Sequence, residues 1–247
     1  MAFLKKNKTP STVAPRRDSI ARPKSDISVV EAYRTIRTNF MFAINKKDKC
    51  KKIIFTSPVP RDGKSTTCVN LGISLAQIDA KVLLIDCDMR KPRIHKFFNC
   101  DNTPGLSNVL GGFNELSETI KQTDHHNLFI IPSGIIPPNP AELLSGPRMA
   151  NIMEELETMF DFILVDTPPC NVVSDALLLT KICDGVILIV KQSVTIHPDL
   201  TRCIKSLEFI NADILGIILN EATQNRKYTY KKYKYGEYRY GYNYSSY

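Results

Sequence analysis

One stretch of the chain predicts a strand, a phosphate-binding loop and a helix in immediate succession. The apolar residues 53–55 lead into a loop that closes with Gly63, Lys64 and Ser65, and an amphipathic segment, 66–78, follows. Backbone N–H groups at such a helix start can surround a β-phosphate, a lysine can reach the β- and γ-oxygens, and a serine hydroxyl can ligate Mg²⁺. This layout favours an α/β fold with a nucleotide site; the alternative is an ordinary turn between a strand and a helix.

Two residues of the loop depart from the usual phosphate-loop pattern. Pro58 stands where that pattern has glycine. Proline has no N–H to donate and fixes φ, so we expect the upstream half of the phosphate cradle to be altered. Arg61 is also unexpected in so tight a loop. Its side chain would either crowd a bound triphosphate or give it an extra cation, and we favour crowding.

The composition indicates one sizeable cytoplasmic domain. With 247 residues, 43% of them hydrophobic, the chain is long enough to bury a substantial core. No apolar run approaches the ~20 residues of a membrane span, and the basic first 24 residues lack the apolar segment of a signal peptide. The seven cysteines are odd in number and form no Cys-x-x-Cys pair. They are therefore expected to be reduced thiols.

The net charge of +8 belongs to the two ends of the chain. Residues 1–24 hold seven basic side chains and one acid, and residues 226–247 hold six basic side chains and one acid. The remainder of the chain is slightly acidic. A basic face for nucleic acid on the domain body is therefore not expected.

Three parts are predicted: a flexible basic arm at 1–26, a phosphate-loop ATPase domain at 27–225 and a tyrosine-rich tail at 226–247. A helix is expected to begin at Ser28, and continuous apolar strands alternate with helical stretches after it. That alternation predicts a mostly parallel, twisted sheet with helices on both faces. The predicted strands, besides the one before the loop, are 81–86, 128–131, 161–166, 185–190 and 214–219.

The tail has a composition unlike the rest of the chain. It contains no Val, Ile, Leu, Met or Phe, so it cannot build a core element. It does contain nine tyrosines, which are candidate phosphate acceptors: Tyr228, Tyr230, Tyr233, Tyr235, Tyr238, Tyr240, Tyr242, Tyr244 and Tyr247.

Acidic residues follow two of the predicted strands. Asp86 and Asp88 end one strand, with Arg90 beside them, and Asp166 ends another. Because ligands of parallel sheets lie beyond the carboxyl ends of the strands, these carboxylates should meet Lys64 at one site. Ser65, Asp86, Asp88 and Asp166 are the candidate Mg²⁺ ligands, although a helix cap or ion pair would explain any single aspartate.

Three carboxylates exceed what Mg²⁺ ligation requires, so one of them is free to accept a proton. A tyrosine hydroxyl, with a pKa of about 10, needs such a base when a phosphoryl group is transferred to it. The residues therefore favour a kinase that acts on its own tail or on that of a neighbouring copy.

Over about residues 28–247, the chain resembles the bacterial tyrosine kinases of capsule and exopolysaccharide synthesis. The resemblance rests on the spacing of Glu31, Arg34 and Arg37, on the tyrosine tail, and on the segments 62–67, 83–92, 135–144 and 165–169.

The resemblance implies roles for individual residues. Lys64 would bind the phosphates of ATP, and Asp166 would be the Walker B acid of the Mg²⁺ shell. Asp86 and Asp88 would form a second Walker motif, with Asp86 as the expected base. The remaining nucleotide contacts would come from Asp62, Gly63, Ser65, Thr66 and Arg90.

The resemblance also implies partners. The edge formed by Glu31, Arg34 and Arg37 would build a ring-shaped homo-oligomer in which one tail enters the next subunit's site. A transmembrane adaptor would activate the enzyme through its cytosolic tail and recruit it to the inner face of the membrane, and a cognate tyrosine phosphatase would reverse the reaction.

Two other functions compete with the kinase. A partitioning-type ATPase would carry a signature lysine at the second loop position, where Val59 stands, and has no use for nine tyrosines. A non-catalytic module would hold nucleotide structurally while its basic, aromatic tail binds single-stranded nucleic acid or anionic lipid.

Overall fold

The structure is a computed structural model that describes residues 27–44 and 50–222. The predicted arm and tail therefore lie outside the described residues, and their boundaries remain predictions. The strands of the described part are β1 (Lys51–Thr56), β2 (Val82–Asp86), β3 (Lys121–Gln122), β4 (Leu128–Ile131), β5 (Phe162–Asp166), β6 (Gly185–Lys191) and β7 (Ile214–Asn220).

The strands form one sheet in the order β3-β4-β2-β5-β1-β6-β7. All neighbouring pairs are parallel except β3 and β4, which are antiparallel at one edge. The predicted, mostly parallel sheet is confirmed, and every strand expected from the sequence is present. The short β3 was not predicted.

Helices connect the strands and cover the sheet. Those of the described residues are α1 (Ile27–Ala43), α2 (Lys64–Ala76), α3 (Ile94–Phe97), α4 (Leu106–Leu110), α5 (Pro140–Ser145), α6 (Pro147–Glu157), α7 (Asp175–Leu179) and α8 (His197–Phe209), with a single 3₁₀ turn at Leu116–Glu118. None of these helices combines the length and apolar character needed to cross a membrane.

Two apolar clusters lie on opposite faces of the sheet. Successive residues of β1 alternate between them, since Ile54 belongs to the cluster beneath α6 whereas Ile53 and Phe55 pack with α2. Strands buried on both faces need apolar side chains at every position, and β2 and β5 are buried throughout. Helices on both faces are therefore confirmed.

Helix α2 is more buried than its sequence predicts. It was expected to be amphipathic over residues 66–78, but it begins at Lys64 and nearly all of its residues are buried. The reason is that α1 packs over the face that would otherwise be exposed, where Arg37 donates a hydrogen bond of 2.6 Å to the carbonyl oxygen of Ser74.

The expectation that all cysteines are reduced thiols is wrong for one pair. A disulfide joins Cys170, in the loop after β5, to Cys203 of α8, with a Cα–Cα distance of 6.2 Å. The two residues are 33 positions apart, and only the packing of α8 against that loop brings them together. The other five cysteines are free.

Candidate active site

The phosphate loop leaves β1 and enters α2 with two residues in left-handed backbone conformation. Gly63 has a φ of 95°, which glycine adopts without steric cost, and Arg61 has a φ of 73°. A Cβ on Gly63 would lie 2.1 Å from Nδ2 of Asn220, at the end of β7. Both the backbone conformation at position 63 and the contact with Asn220 therefore require glycine there. The side chain of Arg61 is exposed.

Lys64 begins α2 and lies at the centre of the site. Its side chain is largely buried, with Nζ 3.0 Å from Oδ2 of Asp88 and 3.7 Å from Oδ1 of Asp166. Burial alone would lower the pKa of Lys64, but the carboxylates of Asp166, Asp88 and Asp86 outweigh it and raise that pKa. The lysine is therefore held in its charged form, as phosphate binding requires.

Asp86 and Asp166 end two neighbouring strands and are partners in the β2–β5 register. Asp86 is fully buried. Its Oδ2 accepts hydrogen bonds from the backbone N–H groups of Arg93 (2.8 Å) and Ile94 (2.9 Å), and its Oδ1 accepts one from Asp88 N at 3.2 Å. Burial, reinforced by the nearby Asp166 carboxylate, raises the pKa of Asp86 to about 7.

Asp166 is the carboxylate best suited to a cation other than Lys64. It is fully buried, and neither of its oxygens accepts a well-formed hydrogen bond from the described residues. Burial raises the pKa of Asp166, and the charge of Lys64 opposes that rise. A buried carboxylate with spare acceptor capacity fits a Mg²⁺ ion, which prefers oxygen ligands.

The four predicted metal ligands differ in how free they are to bind a cation. Asp86 is occupied by backbone donors, and Asp88 binds Lys64 through Oδ2 and the N–H of Lys91 through Oδ1 at 3.1 Å. Within residues 27–44 and 50–222, no three acidic, His or Cys side chains form a group that could hold a metal alone. Asp166 and Ser65 are therefore the residues that fit a Mg²⁺ ion, whose remaining ligands would be phosphate oxygens and water.

Two of the predicted nucleotide contacts have other partners. The carboxylate of Asp62 points to Thr195 Oγ1, which donates a 2.8 Å hydrogen bond to it, so only the backbone of Asp62 is available to a phosphate. The Nε atom of Arg90 lies 3.5 Å from Oδ2 of the buried Asp175, at the start of α7. Thr66 lies half-buried in the first turn of α2.

Comparison with known proteins identifies the family. A family model described as an AAA domain matches residues 61–215. The tyrosine-protein kinase YwqD of Bacillus subtilis is 39% identical over 202 residues, which cover 82% of this chain and 84% of YwqD. The chain belongs to the bacterial tyrosine-protein kinases.

Two further similar proteins support the assignment of the chain to the tyrosine kinases. The putative tyrosine-protein kinase CapB of Staphylococcus aureus is 36% identical over 209 residues, or 85% of this chain and 90% of CapB. The solved kinase domain of the Escherichia coli tyrosine kinase ETK superimposes with a TM-score of 0.78 and 31% identity, covering 98% of this chain and 89% of that one. The predicted enzyme class and fold are thus confirmed.

The predicted oligomerisation edge of Glu31, Arg34 and Arg37 lies on α1, but its three side chains differ in exposure and in partners. Arg34 Nη1 forms an ion pair of 2.6 Å with Glu31 Oε1 on the exposed face. Arg37 instead reaches Ser74 of α2 within the same chain. Glu31 and Arg34 are therefore available to a second copy, whereas Arg37 already has a partner in its own chain.

Sequence reasoning missed three residues that surround the phosphate loop and Arg90: Asp175, Thr195 and Asn220. Asn220 follows an apolar strand, so the rule that sites form at the carboxyl ends of parallel strands could have found it. Asp175 looks like a helix-capping residue, and Thr195 lies in a short loop that has no motif. The nine tail tyrosines lie outside the described residues.

Proposed function

We propose that this kinase transfers the γ-phosphoryl group of ATP to tyrosines of its own tail, between subunits of a homo-oligomer. We further propose that a transmembrane adaptor activates it at the inner membrane face, that a tyrosine phosphatase opposes it, and that the reaction controls capsule or exopolysaccharide synthesis. The observation that carries the phosphoryl-transfer proposal is the buried Lys64, held between the carboxylates at the ends of β2 and β5.

Lys64 is proposed to bind the β- and γ-phosphates. Lys64 is the first residue of α2. The first backbone N–H groups of a helix have no partner within the helix, so they can face an anion together with the lysine ammonium group. Because the site is buried, this charge acts at a low effective dielectric and is worth more than it would be in water. Positioning and charge stabilisation supply most of the catalysis in phosphoryl transfer.

Asp166 and Ser65 are proposed to hold Mg²⁺. When bound, the ion would neutralise the charge that the phosphates bring into an already acidic site. Asp88 is proposed to keep Lys64 oriented through their 3.0 Å contact. Asp62 and Gly63 are proposed to contribute backbone N–H groups to the phosphates, and Thr66 and Arg90 to complete the nucleotide contacts.

Asp86 is proposed as the base that accepts the proton of the tyrosine hydroxyl. A general base works best when its pKa lies near the working pH, and the pKa of about 7 meets that condition. Its hydrogen bonds to the backbone of Arg93 and Ile94 fix the direction of the carboxylate.

Transfer between subunits is supported by the surface of α1. The ion pair of Glu31 and Arg34 is exposed there, and the apolar side chains of Ile27 and Phe42, at the two ends of the helix, are 79% and 82% exposed. Contact with a second copy along this face would remove that apolar surface from water. Arg37, with its partner in the same chain, would support this surface by fixing α1 on α2.

A mixing experiment tests transfer between subunits. Lys64→Met protein with an intact tail is mixed with an active protein truncated after residue 222, and Mg-ATP is added. We expect phosphotyrosine on the tail of the Lys64→Met protein in the mixture, because the truncated partner supplies the intact site. Tyrosine-resolved mass spectrometry gives the readout.

The two proteins incubated separately are the controls, and neither should carry a phosphorylated tail. If the wild-type tail is labelled but the mixture stays unlabelled, transfer between subunits is wrong and the tail is modified within one chain. If the wild type, supplied with a peptide of the adaptor's cytosolic tail, acquires no phosphotyrosine, the autokinase proposal itself is wrong.

A further inference from the structure

The ends of β6 and β7 contact the phosphate loop from the side opposite the acidic strands. Thr195, four residues after β6, donates a hydrogen bond of 2.8 Å from Oγ1 to Oδ1 of Asp62. Asn220, the last residue of β7, donates one of 2.9 Å from Nδ2 to the carbonyl oxygen of Asp62. Both the side chain and the backbone of one loop residue are thus held from outside the loop.

Asp62 is a buried acidic residue of the phosphate loop. It is fully buried, and a buried carboxylate is costly unless it is hydrogen-bonded. Burial raises the pKa of Asp62, and its hydrogen bonds to Thr195 and to the N–H of Val59 oppose that rise. The Val59 contact is long, at 3.4 Å, so the Thr195 hydroxyl is the stronger of the two donors.

The threonine is itself held in place. Its Oγ1 accepts a hydrogen bond of 3.1 Å from the backbone N–H of Lys191, at the end of β6, and its N–H donates to the Lys191 carbonyl oxygen at 3.1 Å. The N–H of Gln192 also donates to the carbonyl oxygen of Asn220 at 3.1 Å. The segment 191–195 is therefore a hydrogen-bonded turn at the end of the sheet.

The loop has reasons to need this support. Pro58 contributes no N–H, and Arg61 holds a left-handed conformation, with a φ of 73°, that is unfavourable for a residue with a Cβ. Strained backbone persists only where its surroundings determine it. The residue directly after Arg61 is Asp62, which is the one that Thr195 and Asn220 hold.

We propose that Thr195 is a positioning residue for nucleotide binding: its hydroxyl fixes Asp62 and so keeps the phosphate loop in the shape that receives ATP. Asn220 assists by holding the Asp62 carbonyl oxygen. This inference rests on the proposed nucleotide site but concerns the shape of the loop, which can be measured without phosphoryl transfer.

The test compares full-length wild type, Thr195→Val and Thr195→Ser. Valine keeps the shape of threonine but removes the hydroxyl, whereas serine keeps it. We expect Thr195→Val to weaken Mg-ATP binding about ten-fold in a calorimetric titration, since a hydrogen bond to a charged group is lost. Amide hydrogen exchange in residues 59–65 should accelerate in the same variant, while Thr195→Ser stays close to wild type in both measurements.

Thr201→Val is the matched control, because among residues 27–44 and 50–222 the Thr201 hydroxyl bonds only to His197 of the same helix α8. It should leave ATP binding and loop exchange unchanged. The proposal is overturned if Thr195→Val binds ATP like wild type with unchanged loop exchange, or if exchange accelerates equally in β2, which would indicate general destabilisation. A wild type that labels no tyrosine would refute the kinase proposal but would leave these two readouts intact.

Discussion

Lys64 is a single cation among three buried carboxylates, and this imbalance governs the chemistry of the site. One ammonium group cannot neutralise Asp86, Asp88 and Asp166 together, and burying an uncompensated charge is costly. The site responds by raising the pKa of Asp86 to about 7. ATP would add more negative charge, so the same imbalance explains why a divalent cation would be needed for the nucleotide to bind.

A pH dependence of stability follows at Asp86. Its folded-state pKa of about 7 lies above the ordinary carboxyl value of 3.8, so the folded protein favours the proton between these values. Stability is therefore lost as the pH rises through this window, as the carboxylate becomes ionised in its buried position. The asparagine of Asp86→Asn does not ionise, so the variant escapes this loss. The Tm of Asp86→Asn minus the Tm of wild type should therefore be higher at pH 8 than at pH 5.

Thermal unfolding without nucleotide at the two pH values provides the measurement. The exposed Asp124→Asn serves as the control and should show the same Tm difference from wild type at both. An Asp86→Asn difference that does not change with pH would mean that Asp86 ionises at its ordinary pKa. Phosphoryl transfer by the wild type should rise over the same range, because the base must be ionised to accept a proton.

Helix α1 packs against α2 and β7. Phe40 is its only fully buried residue, and the Phe40 ring lies 5.8 Å from the ring of Phe162 in β5. Arg37 adds its hydrogen bonds to Ser74. Because α1 also carries the proposed oligomer surface, its attachment connects folding to assembly.

Truncating Phe40 tests that attachment. Phe40→Ala should lower the free energy of unfolding by about 3 kcal/mol, as is typical for a buried aromatic residue. Phe209→Ala, at the end of α8 with the side chain 88% exposed, is the matched control and should change it by less than about 0.5 kcal/mol. Chemical denaturation of the two variants measures the free energy of unfolding. Equal losses of this free energy would contradict the packing described for α1.

The sequence predicted the elements whose patterns are local. The strand expected at 81–86 is found at Val82–Asp86, because a continuous apolar run is the direct signature of a buried parallel strand. The two-residue β3 escaped prediction, since Lys121 and Gln122 carry no such pattern. Lys64, Asp86, Asp88 and Asp166 were expected to meet, because the carboxyl ends of parallel strands share one edge, and the structure brings them together.

Contacts between residues far apart in the chain could not be predicted from the sequence. Thr195 meets Asp62 across 133 positions, and Asn220 meets it across 158. Neither partner belongs to a motif, so only the order of the strands in the sheet reveals the pairing. Arg61 was recognised as unusual, but its left-handed backbone could not be read from its identity.

At the scale of the whole molecule, charge is segregated between an acidic site and a basic tail. Asp86, Asp88 and Asp166 lie together at one edge of the sheet, whereas residues 226–247 hold six basic side chains against Glu237. Opposite charges favour the entry of one subunit's tail into the site of the next. The surface ion pair of Glu31 and Arg34 adds only a modest attraction, since exposed pairs contribute about 1 kcal/mol or less.

Phosphorylation should therefore reverse the attraction that assembles the proposed oligomer. Each phosphotyrosine adds about −1.5 to −2 charges, so roughly three would cancel the positive charge of the tail and further ones would invert it. We expect Lys64→Met protein to remain assembled and multiply phosphorylated protein to dissociate into monomers. The response should be graded, depending on the number of phosphates more than on which tyrosines carry them. Light scattering on samples sorted by phosphate count measures this, with phosphatase-treated protein as the control that should reassemble. An oligomer that persists with five or more phosphates per chain would rule out the charge switch, because the tail would then be repelled by the site that is proposed to hold it.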